Sequence, residues 1–353
     1  MTFSDILAQD HITDHFRKTI ASNHLSHAYI FTGQDGVGKT LLAKEFSKAI
    51  FCSEKEDDSC NLCHNCVRIE NNHHPDIHWI EIEEKAKFLK IDNIRDLQHS
   101  VKLSPVESNY KIFIIKEADR MNEEASNCLL KTLEEPPTNT IIILIANSLT
   151  PVKETIKSRC QIIRFHPIPT HIIEEQLIKR FNADTSKVGW ISRFCGGSLG
   201  NAFELLEDNF YVKNRDIVNR ISVSDIDNLF LAEEVIETYL SPSETLEEKR
   251  QSLRRILNCI LQFYRDILVV KIRNVYGNGI KASPLFNADH KDTLRRCADH
   301  LTQKQITDII NDILESIKYI DYNLNINLLV ENIFTGITML NSSCAKTYNS
   351  ATD

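Results

Sequence analysis

The chain has 353 residues, which suggests two or three domains, and its 42% hydrophobic and 25% charged residues exclude a disordered or fibrous protein. Lys and Arg number 41 against 49 Asp and Glu, and a net charge of −8 argues against a protein that holds nucleic acid alone through a broad basic surface. Only 10 of the 353 residues are glycine, a fraction well below the usual ~7%. This low glycine content favours a helix-rich chain.

The N-terminal sequence and the cysteines indicate the compartment. MTFSDILAQDH carries acids early and no apolar core, so no signal peptide is expected, and the longest strongly apolar run, Ile141 to Ala146, is too short for a membrane span. We therefore expect a cytoplasmic protein whose 10 cysteines form no disulfides. Six scattered cysteines are predicted to be small buried apolar residues: Cys128, Cys160, Cys195, Cys259, Cys297 and Cys344.

Short apolar, β-branched runs recur in the first half of the chain, with helical patterns between them. The predicted strands are Ala28–Phe31, Ile77–Ile82, Ile112–Ile115, Ile141–Ile145 and Ile162–Phe165. Strands that alternate with helices predict a mostly parallel, doubly wound sheet. Asn122 is predicted to cap a helix that Pro136 and Pro137 stop.

The β pattern ends after His166, and the rest of the chain is predicted to be helical. Residues 170–181 predict a helix with one apolar face formed by Ile173, Leu177, Ile178 and Phe181, and a second small helix should begin after Ser198. No internal repeat is visible, and the polar tail from about Ser342 is expected to fray. The predicted organisation is an α/β domain over 1–166, a small helical domain over 167–207 and a helical domain over 208–353.

Residues 33–40 read GQDGVGKT, a full match to G-x4-G-K-[ST] between a predicted strand and a predicted helix. In such a loop, backbone N–H groups face a phosphate, the lysine reaches the β- and γ-phosphates, and the Thr hydroxyl is placed for Mg²⁺. The helix N-terminus adds its own attraction for anions. We therefore predict a nucleotide-phosphate site formed by Gly33, Gln34, Asp35, Gly36, Val37, Gly38, Lys39 and Thr40.

Four further cysteines form a group: Cys52, Cys60, Cys63 and Cys66. Two C-x2-C spacings share Cys63 and can wrap one tetrahedral ion, while Cys52 supplies the fourth thiolate from the end of the preceding helix. A closed shell of four sulfurs is typical of a structural zinc site, with no open position for chemistry. An iron–sulfur cluster and free thiols are the alternatives, and His64 is a substitute ligand between better donors.

The strand KIFII (111–115) should be followed by the acid that helps hold Mg²⁺ in a P-loop ATPase. Lys116 stands there instead, and a lysine beside Mg²⁺-ATP repels the metal. Glu117 follows and could polarise a water molecule. The pattern is therefore compatible with nucleotide binding and argues against fast hydrolysis.

Several strings together resemble one family. LLKTLEEPP (129–137), the triplet Ser158-Arg159-Cys160, LSHAYIFTG (25–33) and the four-cysteine insert are similar to the bacterial DNA polymerase III clamp loader, whose AAA+ subunits load a ring-shaped sliding clamp onto primed DNA. The resemblance runs from Phe3 to about Gly200. RRILNCILQFYRDILVV and the stretch Tyr322–Leu329 resemble the helical collar less specifically. The resemblance to this family implies a P-loop AAA+ domain over 1–166 with a zinc module at 52–66, a lid over 167–207 and an oligomerisation collar over 208–353.

Within the family, departures from the motor pattern favour the delta-prime class over gamma/tau. Motor subunits carry Asp-Glu where this chain has Lys116-Glu117, and a sensor arginine follows their Gly-Ser-Leu-like turn where this chain has Gly200. The chain also lacks the long extension of tau. Ala8 stands where the family often has glycine, which weakens the assignment of an adenine pocket nearby. The intact GQDGVGKT is motor-like, so the question whether ATP or ADP binds stays open. Lys116 argues against bound Mg²⁺.

The resemblance also implies roles for single residues. Arg159 would act in trans, stabilising charge on the phosphoryl group transferred in a neighbouring subunit. Glu117 would occupy a vestigial Walker B position, and Asn147 would be a nucleotide sensor. Glu134 and Glu135 are read as solvated residues at a helix end that faces a neighbour. The implied partners are gamma/tau and delta subunits, the sliding clamp, and primer-template DNA bound collectively by the ring.

Two other hypotheses remain at this point. An active gamma/tau-type ATPase motor would differ from the delta-prime reading in hydrolysing ATP as a purified chain. A zinc-stabilised P-loop kinase for a small molecule is disfavoured by LLKTLEEPP, by Ser158-Arg159-Cys160 and by the large helical C-terminal region.

Overall fold

A computed structural model describes residues 1–82, 88–181, 184–221, 228–240, 245–276, 284–320 and 326–334. The chain divides into two compact units, Met1–Glu204 and Leu205–Asp353. Two sequence predictions fall outside the described residues, namely the polar tail from Ser342 and Cys344. The collar-like stretch Tyr322–Leu329 is described only from residue 326 onward.

The first unit is built on a five-stranded, entirely parallel sheet with the strand order β2-β3-β4-β1-β5. The strands are β1 Ala28–Thr32, β2 Ile77–Ile80, β3 Lys111–Ile115, β4 Thr140–Ala146 and β5 Gln161–Arg164. The order places β4 between the strand that leads into the phosphate loop and the strand that ends before Lys116. Each apolar run predicted a strand, with ends that differ by one or two residues.

Helices cover both faces of this sheet, as the doubly wound prediction requires. They are α1 Asp10–Ala21, α2 Lys39–Phe51, α3 His64–Glu70, α4 Ile91–Val101, α5 Glu123–Glu134 and α6 Glu154–Lys157. Side chains alternate across the strands, so Tyr29 and Phe31 pack in one core with α1 and α2. Ile30 packs in the other core, with α4, α5 and α6. Parallel strands buried on both faces explain why these runs are continuously apolar.

Asn122 caps α5 as predicted, because its Oδ1 accepts a hydrogen bond from the Ala125 N–H at 2.8 Å. The helix ends at Glu134, directly before the residues that lead into the two prolines. Three helices follow the sheet in place of the two that the sequence predicts: α7 Thr170–Phe181, α8 Thr185–Phe194 and α9 Leu199–Glu207.

The predicted apolar face of α7 is only half correct. Ile173 and Leu177 are fully buried, while Ile178 is 45% exposed and Phe181 is 38% exposed. Residues 173 and 177 lie one turn apart on the same stripe, and residue 178 is rotated away from it. Phe181 instead contacts the ring of Phe203 in α9, with the ring centroids 5.4 Å apart.

All regular secondary structure in the described part of the second unit is helical. Its helices are α10 Phe210–Ile221, α11 Asn228–Tyr239, α12 Leu246–Tyr276, α13 Lys291–His300 and α14 Gln303–Tyr319, and residues 326–334 are also helical. The stripe Leu253, Ile256, Ile260 and Tyr264 on α12 is buried in one apolar core. Among the described helices, none is long and apolar enough to cross a membrane.

The scattered cysteines follow their prediction in part. Cys195 and Cys259 are buried, and burial raises the pKa of both thiols. Cys128, Cys160 and Cys297 are only half-buried. These five remain free thiols in the described chain.

Candidate nucleotide, metal and subunit-contact sites

The loop between β1 and α2 has the backbone that its glycines favour. Gly36 and Gly38 have φ angles of +72° and +102°, in the left-handed region that side chains disfavour. α2 begins at Lys39, directly after Gly38, so the unpaired N–H groups and the positive end of the helix dipole lie at the loop. This arrangement suits an anion such as a phosphate.

Lys39 is held inside this loop. It is 5% exposed, and its Nζ donates to the carbonyl oxygens of Gly33 and Gln34, both at 2.6 Å, and to Oδ1 of Asn147 at 2.9 Å. Burial lowers the pKa of Lys39, against the opposing influence of the carboxylates of Asp35 and Asp119. The fold thus brings together Lys39 and Asn147, two residues that the sequence analysis selected separately.

The remaining residues of the motif differ in exposure. Thr40, Gln34 and Asp35 are exposed, whereas Val37 is 1% exposed and belongs to the core beneath the loop. The Thr40 hydroxyl is therefore accessible to a ligand, and Val37 anchors the loop.

Lys116 is engaged on the side of β2. Its Nζ lies 2.7 Å from Oε1 of Glu81, which follows β2, and 5.4 Å from the ring centroid of Trp79. Glu117 has a left-handed φ of +50° and pairs with Arg120. The sequence analysis missed Glu81, because only the β2–β3 pairing shows that it is a neighbour of Lys116.

Asp119 links the end of β3 to the end of β4. Its Oδ2 accepts hydrogen bonds from the backbone N–H groups of Asn147 at 3.1 Å and Ser148 at 3.3 Å. Among the described atoms, its buried Oδ1 has no hydrogen-bond partner. Asp119 was not selected from the sequence, although its position three residues after Lys116, in the charged segment KEADR (116–120), is the signal that marks it.

The start of α9 and the turn that precedes it pack on the phosphate loop. The Gly200 N–H donates to the Gly36 carbonyl oxygen at 3.1 Å, and Gln34 Nε2 donates to the Cys195 carbonyl oxygen at 3.3 Å. A Cβ on Gly36 would lie 2.3 Å from Oγ of Ser198, so the approach excludes a side chain there. Gly200 is thus a point of backbone contact between α9 and the phosphate loop.

The backbone at Ala8 has a conformation that suits glycine. Its φ is +57°, a left-handed backbone conformation that costs a residue with a Cβ about 1–2 kcal/mol. The neighbouring Gln9 is fully buried and makes two hydrogen bonds to the backbone of His166, through Nε2 at 2.7 Å and Oε1 at 3.2 Å. These bonds hold the N-terminal segment against the end of the sheet.

The four grouped cysteines converge as their spacing predicts. The Sγ atoms of Cys52, Cys60, Cys63 and Cys66 all lie within 4.8 Å of one another, and those of Cys60 and Cys66 are 4.0 Å apart. Tetrahedral Zn–S bonds of about 2.3 Å place sulfurs about 3.8 Å apart, so the donor set fits zinc. His64 begins α3 and does not belong to this group of ligand atoms.

The electrostatics of the cysteine group favour a thiolate. Burial acts to raise the pKa of Cys63, but hydrogen bonds from the Cys66 and Ser53 backbones prevail and lower it to about 6. Burial raises the pKa of the neighbouring Cys66 thiol. The N–H groups of Leu62 and Cys63 also donate to the Cys60 sulfur, at 3.4 and 3.2 Å. Backbone donors of this kind stabilise thiolate ligands.

Arg159 lies after α6, with 34% of its side chain exposed. Its Nη2 is 2.8 Å from Oε1 of Glu134 at the end of α5, and its Nη1 donates to the Thr155 carbonyl oxygen at 2.9 Å. Glu134 is thus an ion-pair partner within the chain as well as a half-exposed residue. The guanidinium remains accessible to solvent at the edge of the first unit.

A family model and the curated relatives point to one family. A family model described as DNA polymerase III, delta subunit, matches residues 8–169. The DNA polymerase III subunit delta' of Bacillus subtilis is 31% identical over 323 residues, which cover 89% of this chain and 92% of that protein. The chain belongs to the DNA polymerase III clamp-loader family.

The chain is also similar to a tau subunit and to one solved structure. The DNA polymerase III subunit tau of Bacillus subtilis is 32% identical over 286 residues, covering 76% of this chain and 50% of tau. A gamma subunit-related protein from Thermotoga maritima, a solved structure, is 17% identical with a TM-score of 0.39, covering 93% of this chain and 99% of that one.

Proposed function

We propose that this chain is a delta-prime-type subunit of a bacterial DNA polymerase III clamp loader, which helps to load the sliding clamp onto primed DNA in the cytoplasm. The observation that carries the proposal is the match to a delta' subunit over nearly the whole of both chains. Its partners would be the gamma/tau and delta subunits, the sliding clamp and primer-template DNA. The domains would be 1–166, a lid over 167–207 and a collar over 208–353.

The chain's own nucleotide site would bind ATP or ADP and hydrolyse ATP slowly. Gly33 to Thr40, with Lys39 and Asn147 in contact, supply the groups that hold phosphates. The position of the metal-holding acid is taken by Lys116, which is paired with Glu81. A cation at this position offers no ligand to Mg²⁺, so the charge stabilisation that Mg²⁺ supplies in P-loop ATPases would be weak here.

The contribution of this chain to catalysis would be Arg159, presented to the nucleotide of a neighbouring subunit. An exposed guanidinium suits this role, because it offers several N–H donors in a fixed plane to developing phosphoryl charge. Glu117 would keep only a vestigial role, since its side chain pairs with Arg120.

The test is a clamp-loader complex reconstituted with Arg159→Ala. An arginine supplied in trans contributes about 10³-fold or more to kcat, so the complex should lose the share of ATPase activity carried by the site that Arg159 serves. Arg95→Ala is the matched control, because Arg95 is exposed and pairs within its own helix. Unchanged hydrolysis by a variant complex that assembles normally on gel filtration would remove the arginine from this role.

Cys52, Cys60, Cys63 and Cys66 would hold a structural zinc ion that stabilises the segment between α2 and α3. The closed set of four sulfurs leaves no position for a substrate, so the metal would contribute to folding and not to chemistry. Metal analysis of the purified chain should give about one zinc per chain, and iron in place of zinc would favour the cluster alternative.

An active gamma/tau-type motor is the second candidate, favoured by the complete GQDGVGKT motif and the similarity to tau. The two candidates differ in the purified chain alone. ATP hydrolysis by the isolated chain as fast as that of the whole complex would support the motor, and negligible hydrolysis would support the delta-prime role.

A further inference from the structure

A buried network of charges connects the phosphate-loop helix to the four-cysteine module. Lys48 and Glu45 lie on α2, and both side chains are 0% exposed. The ammonium of Lys48 is 2.9 Å from Oε1 of Glu45 and 3.1 Å from Oδ1 of Asn61, and it also contacts Oε2 of Glu70. A lysine so deeply buried is rare unless it is paired, and here three acceptors use its three N–H donors.

The partners of this lysine lie beside the thiols. Asn61 stands between Cys60 and Cys63, and Glu70 is at the end of α3, the helix that carries Cys66. The second carboxylate oxygen of Glu45 accepts a hydrogen bond from Oγ of the fully buried Ser59 at 3.1 Å. The network therefore connects α2 to two segments, the 59–61 loop and α3, which lie next to or carry Cys60, Cys63 and Cys66. The fourth thiol, Cys52, directly follows the end of α2.

We propose that Lys48 is a positioning residue for the metal module: it fixes the 59–61 loop and α3 against α2, and thereby sets the separations of the four sulfurs. None of its hydrogen bonds to the described residues is made to a sulfur, so it acts through the backbone segments that it joins. This inference rests on the proposed metal site. Groups that orient metal ligands from outside the coordination shell typically contribute 10–100-fold to metal affinity.

The chain offers a matched control one turn earlier on the same helix. The Nζ of Lys44 also reaches Glu70, at 2.7 Å from its carbonyl oxygen and 3.2 Å from Oε1, but its side chain is 20% exposed and is not linked to residues 59–61 by the contacts described. Removing Lys44 takes one partner from Glu70 and leaves the connection between α2 and the loop intact.

The experiment measures zinc release from the full-length chain to a chromogenic chelator. We expect Lys48→Met to release zinc 10–100-fold faster than the unaltered chain. Lys44→Met should change the rate by no more than about threefold, in keeping with the small contribution of an ion pair whose carboxylate is half-exposed. Because Lys48→Met leaves Glu45 buried without its partner, Glu45→Gln/Lys48→Met is made in parallel to remove the unpaired charge.

The double variant separates positioning from simple structural support. If Lys48 positions the module, the double variant folds and still releases zinc 10–100-fold faster, because the connection to Asn61 and Glu70 is absent. Zinc release at the unaltered rate from the folded double variant would overturn the positioning role and leave the metal site standing. An unaltered chain that contains no metal would instead overturn the proposed site, and the inference with it.

Discussion

Gly200 is the position at which the structure makes its sharpest prediction. Its N–H donates to the carbonyl oxygen of Gly36, and a Cβ added to Gly200 would lie 3.0 Å from the Gly36 Cα atom. That separation is shorter than an ordinary van der Waals contact between carbons, about 3.5–4.0 Å. The contacting atom belongs to the backbone, so rotation of a flexible side chain cannot relieve the contact. Gly200→Ala should therefore force the start of α9 away from the phosphate loop.

The magnitude follows from comparison with a second glycine. At Gly189, inside α8, an added Cβ would meet only Nη1 of Arg193 at 3.6 Å, so Gly189→Ala should give the ordinary helix gain of about 0.5–1 kcal/mol. Gly200→Ala receives at most the same gain and bears an overpacking cost of about 1–3 kcal/mol. We expect the two variants to differ in free energy of unfolding by about 1–3 kcal/mol, with Gly200→Ala the less stable.

Tryptophan fluorescence suits the measurement, because the 2 tryptophans of the chain, Trp79 and Trp190, both lie in the first unit. Urea titration followed by this signal reports on the unit that contains the phosphate loop. Equal shifts in the two alanine variants would refute the reasoning, since they would mean that the contact at Gly200 costs nothing to disturb.

Two further predictions concern the frame around the site. Asp76 is fully buried; burial acts to raise its pKa, but its carboxylate accepts hydrogen bonds from three successive N–H groups at 106–108, at 2.6 to 3.0 Å, and these hold the pKa below its usual value. Asp76→Asn should lower the free energy of unfolding by about 1.5–3 kcal/mol at pH 7. Because the pKa of Asp76 is depressed in the folded chain, the difference in stability between the variant and the unaltered chain should shrink as the pH falls below the unfolded pKa of ~3.9. Urea titrations at pH 7 and at a pH below that unfolded pKa would detect the change. Asn122→Ala removes the cap of α5 and should lower stability by about 1 kcal/mol in the same titration.

The strands and the phosphate loop were accessible from the sequence because local patterns determine them. Short, β-branched apolar runs such as Ile112–Ile115 indicate strands of a sheet covered on both faces, and GQDGVGKT favours a turn with left-handed glycines. The helix α8 was missed because Gly189 in its middle weakens the local propensity. Its start at Asp184, whose Oδ1 accepts from the Ser186 N–H, was the available signal.

The interaction partners of the site residues could not be predicted from the sequence, because their contacts join segments that lie far apart in the chain. Glu81 reaches Lys116 only because β2 pairs with β3, and Asp119 holds the backbone of Asn147 only because β4 lies beside β3. The ion pair of Glu134 with Arg159 depends in the same way on the packing of α5 near α6. A sequence shows which charges exist, and the strand order decides which of them meet.

Lys116 and Gly200 look in the sequence like two losses from a motor subunit, yet both make contacts that a motor residue would break. Lys116→Asp would set a carboxylate against Glu81 and remove the cation from the face of Trp79. An arginine at position 200 would bring a Cβ to 3.0 Å from the Gly36 Cα. Restoring either motor residue alone therefore sacrifices an existing contact in the first unit. Under the delta-prime proposal, restoring the motor pattern would therefore call for compensating changes at Glu81 and at the start of α9, in addition to the two substitutions themselves.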